Sequence, residues 1–106
     1  MAGKVKELTS NTFDGFVKED KVVIDFWAPW CGPCKMMGPI FEEAASDMKD
    51  KVKFGKVNVD EGSDLAQRFG VMSIPTIMFF RDGRPVDKVV GVLPKEDLIK
   101  KIKEIK

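Results

Sequence analysis

The stretch Val22-Val23-Ile24-Asp25-Phe26-Trp27-Ala28-Pro29-Trp30-Cys31-Gly32-Pro33-Cys34 passes from one backbone regime to another without a linker. Val22 to Ala28 is near-continuously apolar and rich in β-branched and aromatic residues, the composition of a central strand covered on both faces. Ala28-Pro29-Trp30 breaks the run. Beyond it, Met37, Ile40, Phe41, Ala44, Ala45 and Met48 recur with a 3.6-residue period, which predicts a helix from about Cys31 to Lys49. Pro39 inside that helix removes one backbone hydrogen bond and should kink it. A buried strand running straight into a helix is the first half of a βαβ unit, so this stretch sets an α/β fold.

Working outward, Val5-Lys6-Glu7-Leu8 reads as a short edge strand, and Thr9-Ser10-Asn11 offers N-caps for a helix burying Phe13, Phe16 and Val17. Val52 to Val59 is a third strand. Ser63 then caps a short helix carrying Leu65, Ala66 and Phe69, closed by Gly70. Ile77 to Phe80 and Val86 to Val90 flank Asp82-Gly83, a hairpin signal. Pro94 opens the last helix, with Glu96 and Asp97 near its start and Lys100, Lys101, Lys103 and Lys106 toward its end, charges that complement the helix dipole. Leu98, Ile99, Ile102 and Ile105 form its buried stripe. The order β-α-β-α-β-α-β-β-α predicts a three-layer α/β/α sandwich: a mixed five-stranded sheet, its first three strands parallel, with four helices on its two faces. At 106 residues, 1–106 is expected to form a single domain.

Eighteen basic and seventeen acidic residues leave a formal charge of +1 with no basic block, which argues against nucleic acid and anionic membranes as partners. No apolar stretch approaches a transmembrane span, and Met1 to Glu7 lacks the apolar region of a signal peptide. A cytoplasmic protein is expected, in a compartment where thiols stay reduced and a surviving disulfide is usually catalytic.

Cys31 and Cys34 are the chain's only cysteines. A thiol reacts as its thiolate, and the unpaired N–H groups and positive dipole end of a helix start stabilise that anion. Cys31, first in the turn, gains most from this field and should be the more exposed. Cys34, one turn further in, is placed to attack a mixed disulfide on Cys31. Gly32 permits close approach of a partner's backbone, and Pro33 pre-sets a helical φ where no N–H bond is lost. Alternative roles are weaker. A structural zinc site needs four ligands, and two cysteines with no histidine do not supply them. A structural disulfide closing so short a loop removes little unfolded-chain entropy.

Asp25 is an acid inside a central apolar strand, so it must be paired, hydrogen-bonded or neutralised. A surface-facing strand carboxylate, or a core salt bridge to Lys56 in the neighbouring strand, is one reading. The other is a buried carboxyl of raised pKa that takes a proton from Cys34, through a water if need be. Ile74-Pro75 precedes the fourth strand, where a proline is tolerated, and residue type alone does not make that bond cis. Of Met36, Met37 and Met72, at least two are expected to be core fillers. Trp30, beside the reactive turn, suits contact with a partner protein.

With Trp30-Cys31-Gly32-Pro33-Cys34 after Phe26-Trp27-Ala28-Pro29, and with Asp25, Lys35, Pro39, Lys56, Ile74-Pro75-Thr76 and Gly91, the chain resembles the thioredoxin family over essentially its whole length. The resemblance implies a monomeric protein-disulfide reductase in which Cys31 attacks, Cys34 resolves and Asp25 transfers the proton. Gly32, Pro33, Lys56 and Pro75 would tune the redox pair. The Ile74-Pro75 bond would be cis and packed against it. Trp30, Gly32, Pro33, Ile74, Pro75, Val90 and Gly91 would form a shallow docking surface for disulfide-containing proteins. The family implies no metal or bound cofactor, and a separate thioredoxin reductase as electron donor. Oxidases and isomerases of similar fold often carry His between the cysteines, where a cationic ring favours the thiolate; Pro33 supplies no such charge. A pure binding module would have no need of an intact dithiol.

Overall fold

The computed structural model describes residues 4–48 and 50–105, so Lys49 and Lys106, at the ends of two expected helices, lie outside the described residues. The elements follow the expected order: β1 (Val5–Glu7), α1 (Phe13–Val17), β2 (Lys21–Trp27), α2 (Gly32–Asp47), β3 (Lys53–Asn58), α3 (Ser63–Arg68), β4 (Thr76–Arg81), β5 (Arg84–Val90) and α4 (Lys95–Lys103). The five strands form one sheet in the order β1-β3-β2-β4-β5. β3 is parallel to both β1 and β2, while β4 is antiparallel to β2 and β5 to β4.

β2 is the central strand, which is why it reads as an unbroken apolar run: Val22 to Phe26 are all buried. Alternation along it assigns each side chain to a layer. Val22, Ile24 and Phe26 pack with Phe13, Val17 and Leu65 from α1 and α3. Val23 packs with Met37, Phe41, Ala44 and Ala45 of α2 and with Leu98 and Ile102 of α4. Asp25 shares the face of Val23 and therefore points beneath α2, the helix that carries Cys34. That consequence of a two-residue period sets the chemistry of the site.

The aromatic rings lock the α1/α3 layer. Phe13 meets Phe26, Phe69 and Phe80 with centroids 5.3 to 6.5 Å apart in tilted or edge arrangements. The β4–β5 hairpin turns through Asp82 at φ 52° and Gly83 at φ 86°, the left-handed pair that the Asp-Gly sequence favours.

Two helix starts differ from expectation. The N-cap of α1 is Thr12, because the chain makes a preliminary turn in which the Thr12 and Phe13 amides donate to the Thr9 carbonyl. The N-cap of α3 is Gly62, with Ser63 the first helical residue. Gly62 holds that place through backbone bonds alone: its amide donates to the Asn58 carbonyl, and its own carbonyl accepts from Leu65 and Ala66. Gly70, at φ 66°, ends the helix as expected. No helix among the described residues is long and apolar enough to cross a membrane.

Candidate active site: a cysteine turn above a buried carboxyl

Cys31 is the N-cap of α2, in extended conformation at φ −91°, ψ 116°. Its sulfur occupies the place of a capping oxygen: the Cys34 amide donates to Sγ of Cys31 at 3.2 Å. Gly32 and Pro33 fill the first turn, where Pro33 forfeits no helical bond. The two cysteines are joined as a disulfide, their Cα atoms 5.2 Å apart.

Both cysteines are buried in this disulfide state, so the expected greater exposure of Cys31 shrinks to a marginal difference. Cys31 is 5% and Cys34 4% accessible, and Gly32 and Pro33 take the exposed positions between them. The cover comes from a remote segment. Ile74 packs on Ala28, Cys31 and Cys34, and its carbonyl oxygen lies 3.7 Å from Sγ of Cys31. The Ile74-Pro75 peptide is cis. Thr76 Oγ1 donates to the Ser73 carbonyl at 2.6 Å, and the Gly91 amide donates to the Pro75 carbonyl at 2.8 Å, tying this loop to the end of β5. Gly91 sits at φ 100°, a conformation that favours glycine, and Val90 pairs with Thr76. Ile74, Val90 and Gly91 thus stand on one tied loop and strand end beside the cysteine turn, with Pro75 itself buried between them in the chain.

On the other side, Trp30 is 67% exposed, yet its indole N–H is held by the Asp60 carboxylate at 3.0 and 3.2 Å. Asp60 is a site contributor that the sequence pattern does not announce, since it lies thirty positions away on the turn after β3. The methionines divide against expectation. Met37 is buried, whereas Met36 is 65% and Met72 95% exposed, so only one of the three is a core filler.

Beneath the turn lies a cavity of about 290 Å³ walled by Asp25, Trp27, Cys34, Gly38, Glu42 and Lys56. Asp25 is buried, and burial pushes its carboxyl from the ordinary 3.8 up to about 7; the Lys56 ammonium opposes that rise without cancelling it. Lys56 stands opposite Asp25 in the β2–β3 register. Oδ1 of Asp25, Nε1 of Trp27 and Oε1 of Glu42 are buried without a hydrogen-bond partner among the described residues, and all three belong to walls of this one cavity. Polar groups of that kind call for water. Glu42 was legible in retrospect: Cys34, Gly38 and Glu42 are four residues apart, one face of α2.

Among the described residues no group of three or more His, Cys, Asp or Glu is placed to hold a metal ion. A cysteine pair at a helix N-terminus, above a carboxyl that titrates near neutrality, defines a thiol–disulfide oxidoreductase. The family model described as Thioredoxin matches residues 4–104. Thioredoxin of Staphylococcus saprophyticus is 47% identical over 100 residues, covering 94% of this chain and 96% of that protein. Thioredoxin of Staphylococcus aureus is 49% identical over 94 residues, covering 89% and 90%. The crystal structure of Malassezia sympodialis thioredoxin (Mala s 13) superposes with a TM-score of 0.87 at 45% identity, over 94% of this chain and 89% of that one. The chain belongs to the thioredoxin family, and its chemistry is thiol–disulfide exchange through Cys31 and Cys34.

Proposed function

We propose that residues 1–106 form one cytoplasmic, monomeric domain that reduces disulfides in other proteins. A separate thioredoxin reductase restores its thiols, and no metal or bound organic cofactor takes part. The observation that carries this reading is the Cys34 amide aimed at Sγ of Cys31 from the first turn of α2. In the reduced protein the same N–H and the helix dipole favour a Cys31 thiolate.

That thiolate attacks one sulfur of a substrate disulfide. A bond forms from Sγ of Cys31 to that sulfur, the substrate S–S bond breaks, and the departing sulfur leaves as thiolate and takes up a proton. Asp25, ionised at that moment, receives the Cys34 proton across the cavity they share. The Cys34 thiolate then attacks Sγ of Cys31, restoring the internal disulfide and releasing the second substrate thiol. Two electrons pass from the dithiol to the substrate. A carboxyl that titrates at about 7 suits both the taking and the returning of that proton. Lys56 moderates the carboxyl, Gly32 and Pro33 shape the turn, and Pro75 seats the covering loop. Trp30, Gly32, Pro33, Ile74, Pro75, Val90 and Gly91 form the face on which the substrate chain lies.

The test is direct. Reduced protein mixed with a disulfide-bonded protein should release two substrate thiols for each dithiol consumed, and Cys31→Ser should abolish the release. Binding of the partner without thiol release would overturn the assignment.

A further inference from the structure

Two large apolar side chains beside the cysteine turn are not explained by packing. Met36 is 65% and Met72 95% exposed, whereas the described methionines Met37, Met48 and Met78 are at most 8% accessible. Their positions are specific. Met36 lies three and four residues after Pro33 and Gly32, on the same exposed face of α2, one turn from the disulfide. Met72 stands two residues before Ile74, whose carbonyl touches Cys31. The two methionines thus stand on separate segments, Met36 on α2 and Met72 on the loop leading to Ile74, each a few residues from a group at the disulfide. An exposed Met is an adaptable apolar contact, and oxidation turns it into a polar, chiral group that disrupts such contacts.

We propose that Met36 and Met72 are peroxide-sensitive modification sites whose oxidation weakens docking of protein substrates while leaving the dithiol intact. This rests on the reductase reading above. In the step, the thioether sulfur attacks hydrogen peroxide and gives up two electrons. The O–O bond breaks, one oxygen becomes the sulfoxide oxygen, and the other leaves as water. The Cys31–Cys34 disulfide has no thiol to offer the oxidant, so in the oxidised protein the exposed methionines are the accessible targets. The sulfoxides would then face the apolar segment flanking a substrate disulfide. Methionine sulfoxide reductases of both stereospecificities would reverse the change.

The oxidised full-length protein is treated with hydrogen peroxide, freed of it, mapped by peptide mass, and assayed against a disulfide-bonded protein and against a small aromatic disulfide. Gains of one oxygen should concentrate at Met36 and Met72 and spare Met37, Met48 and Met78. KM for the protein substrate should rise about three- to tenfold, matching the loss of one or two thioether contacts, with kcat and small-disulfide turnover unchanged. Treatment with both sulfoxide reductases should restore KM. The Met36→Leu/Met72→Leu variant should keep its own untreated KM after peroxide. Oxidation spread evenly over the buried methionines, an unchanged KM, or an equal loss with the small disulfide would each overturn the proposal. Untreated protein that fails to reduce the protein substrate would instead overturn the reductase reading.

Discussion

Lys56 stands opposite Asp25 in the β2–β3 register, yet its ammonium lies over the indole of Trp27, 5.0 Å from the ring centroid. Oδ1 of Asp25 is left without a hydrogen-bond partner among the described residues. The lysine's attraction therefore acts on the carboxyl as a field rather than as a bonded ion pair. This is why desolvation, the larger effect, raises the carboxyl to about 7 despite a cation next door.

Asp25→Asn should stabilise the protein at alkaline pH. The folded pKa lies above the unfolded one, so the native state holds the extra proton. Stability is full below 3.8, falls as pH rises toward about 7, and stays reduced beyond it. The slope between those values is about 1.4 kcal/mol per pH unit. Denaturant melts of the disulfide form at pH 5 and pH 8 should show wild type weakening and the variant holding level. An equal pH response in both would refute the shifted carboxyl. The variant should also reduce protein disulfides more slowly.

Lys56→Met removes the one effect that lowers the Asp25 pKa. The carboxyl should then titrate above its wild-type midpoint, and the stability loss should extend to higher pH. Carboxyl-carbon NMR titration reads the midpoint directly. A midpoint that falls would mean that Lys56 shields the carboxyl from water more than it attracts it.

Asp60→Ala should free the Trp30 indole, since its N–H donates to the two oxygens of that carboxylate. The pair is exposed, so stability should change little, by about 0.5 kcal/mol or less. Time-resolved fluorescence anisotropy should show faster local motion of Trp30, and KM for a protein substrate should rise about two- to fivefold, the effect of losing one modest hydrogen bond. Unchanged anisotropy would show that neighbouring packing alone holds the ring.

The fold was legible wherever local pattern and tertiary environment agree. The apolar run of β2, the Asp82-Gly83 turn and the stripe of α2 each carry their own signal, and the register that places Asp25 under Cys34 follows from strand alternation. What was not legible depends on segments far apart in sequence. The burial of Cys31 comes from Ile74, forty-three residues away. Periodicity places Met37 inside but does not say that Met36, its neighbour, lies on open surface, and Met72 sits in a loop with no period at all. The start of α3 at Gly62 escaped because side-chain capping preference favours Ser63, whereas the cap is made by backbone bonds to Asn58.

Gly55→Ala probes the packing on the face of the sheet opposite the site. An added Cβ would meet Leu8 Cδ1 at 2.8 Å, Phe16 at 3.0 Å and Ile24 at 3.2 Å. The tip of Leu8 can turn aside, but the ring and Ile24 confine the space, so overpacking should destabilise the fold by about 1–3 kcal/mol. Denaturant midpoints give the value, and a variant as stable as wild type would show that the layer yields without strain.

The central claim is that Cys31 attacks and Cys34 resolves, and trapping of the covalent intermediate tests it most directly. Cys34→Ser removes the resolving sulfur and keeps the helix start that activates Cys31. Reduced Cys34→Ser mixed with a disulfide-bonded protein should accumulate a mixed disulfide, seen on a non-reducing gel and released by dithiothreitol. Cys31→Ser should accumulate far less, because Cys34 lies inside the first turn and faces the cavity rather than the substrate. Equal trapping by both variants would contradict the assignment of roles. No trapping by either, with partners still bound non-covalently, would contradict thiol chemistry as the working function.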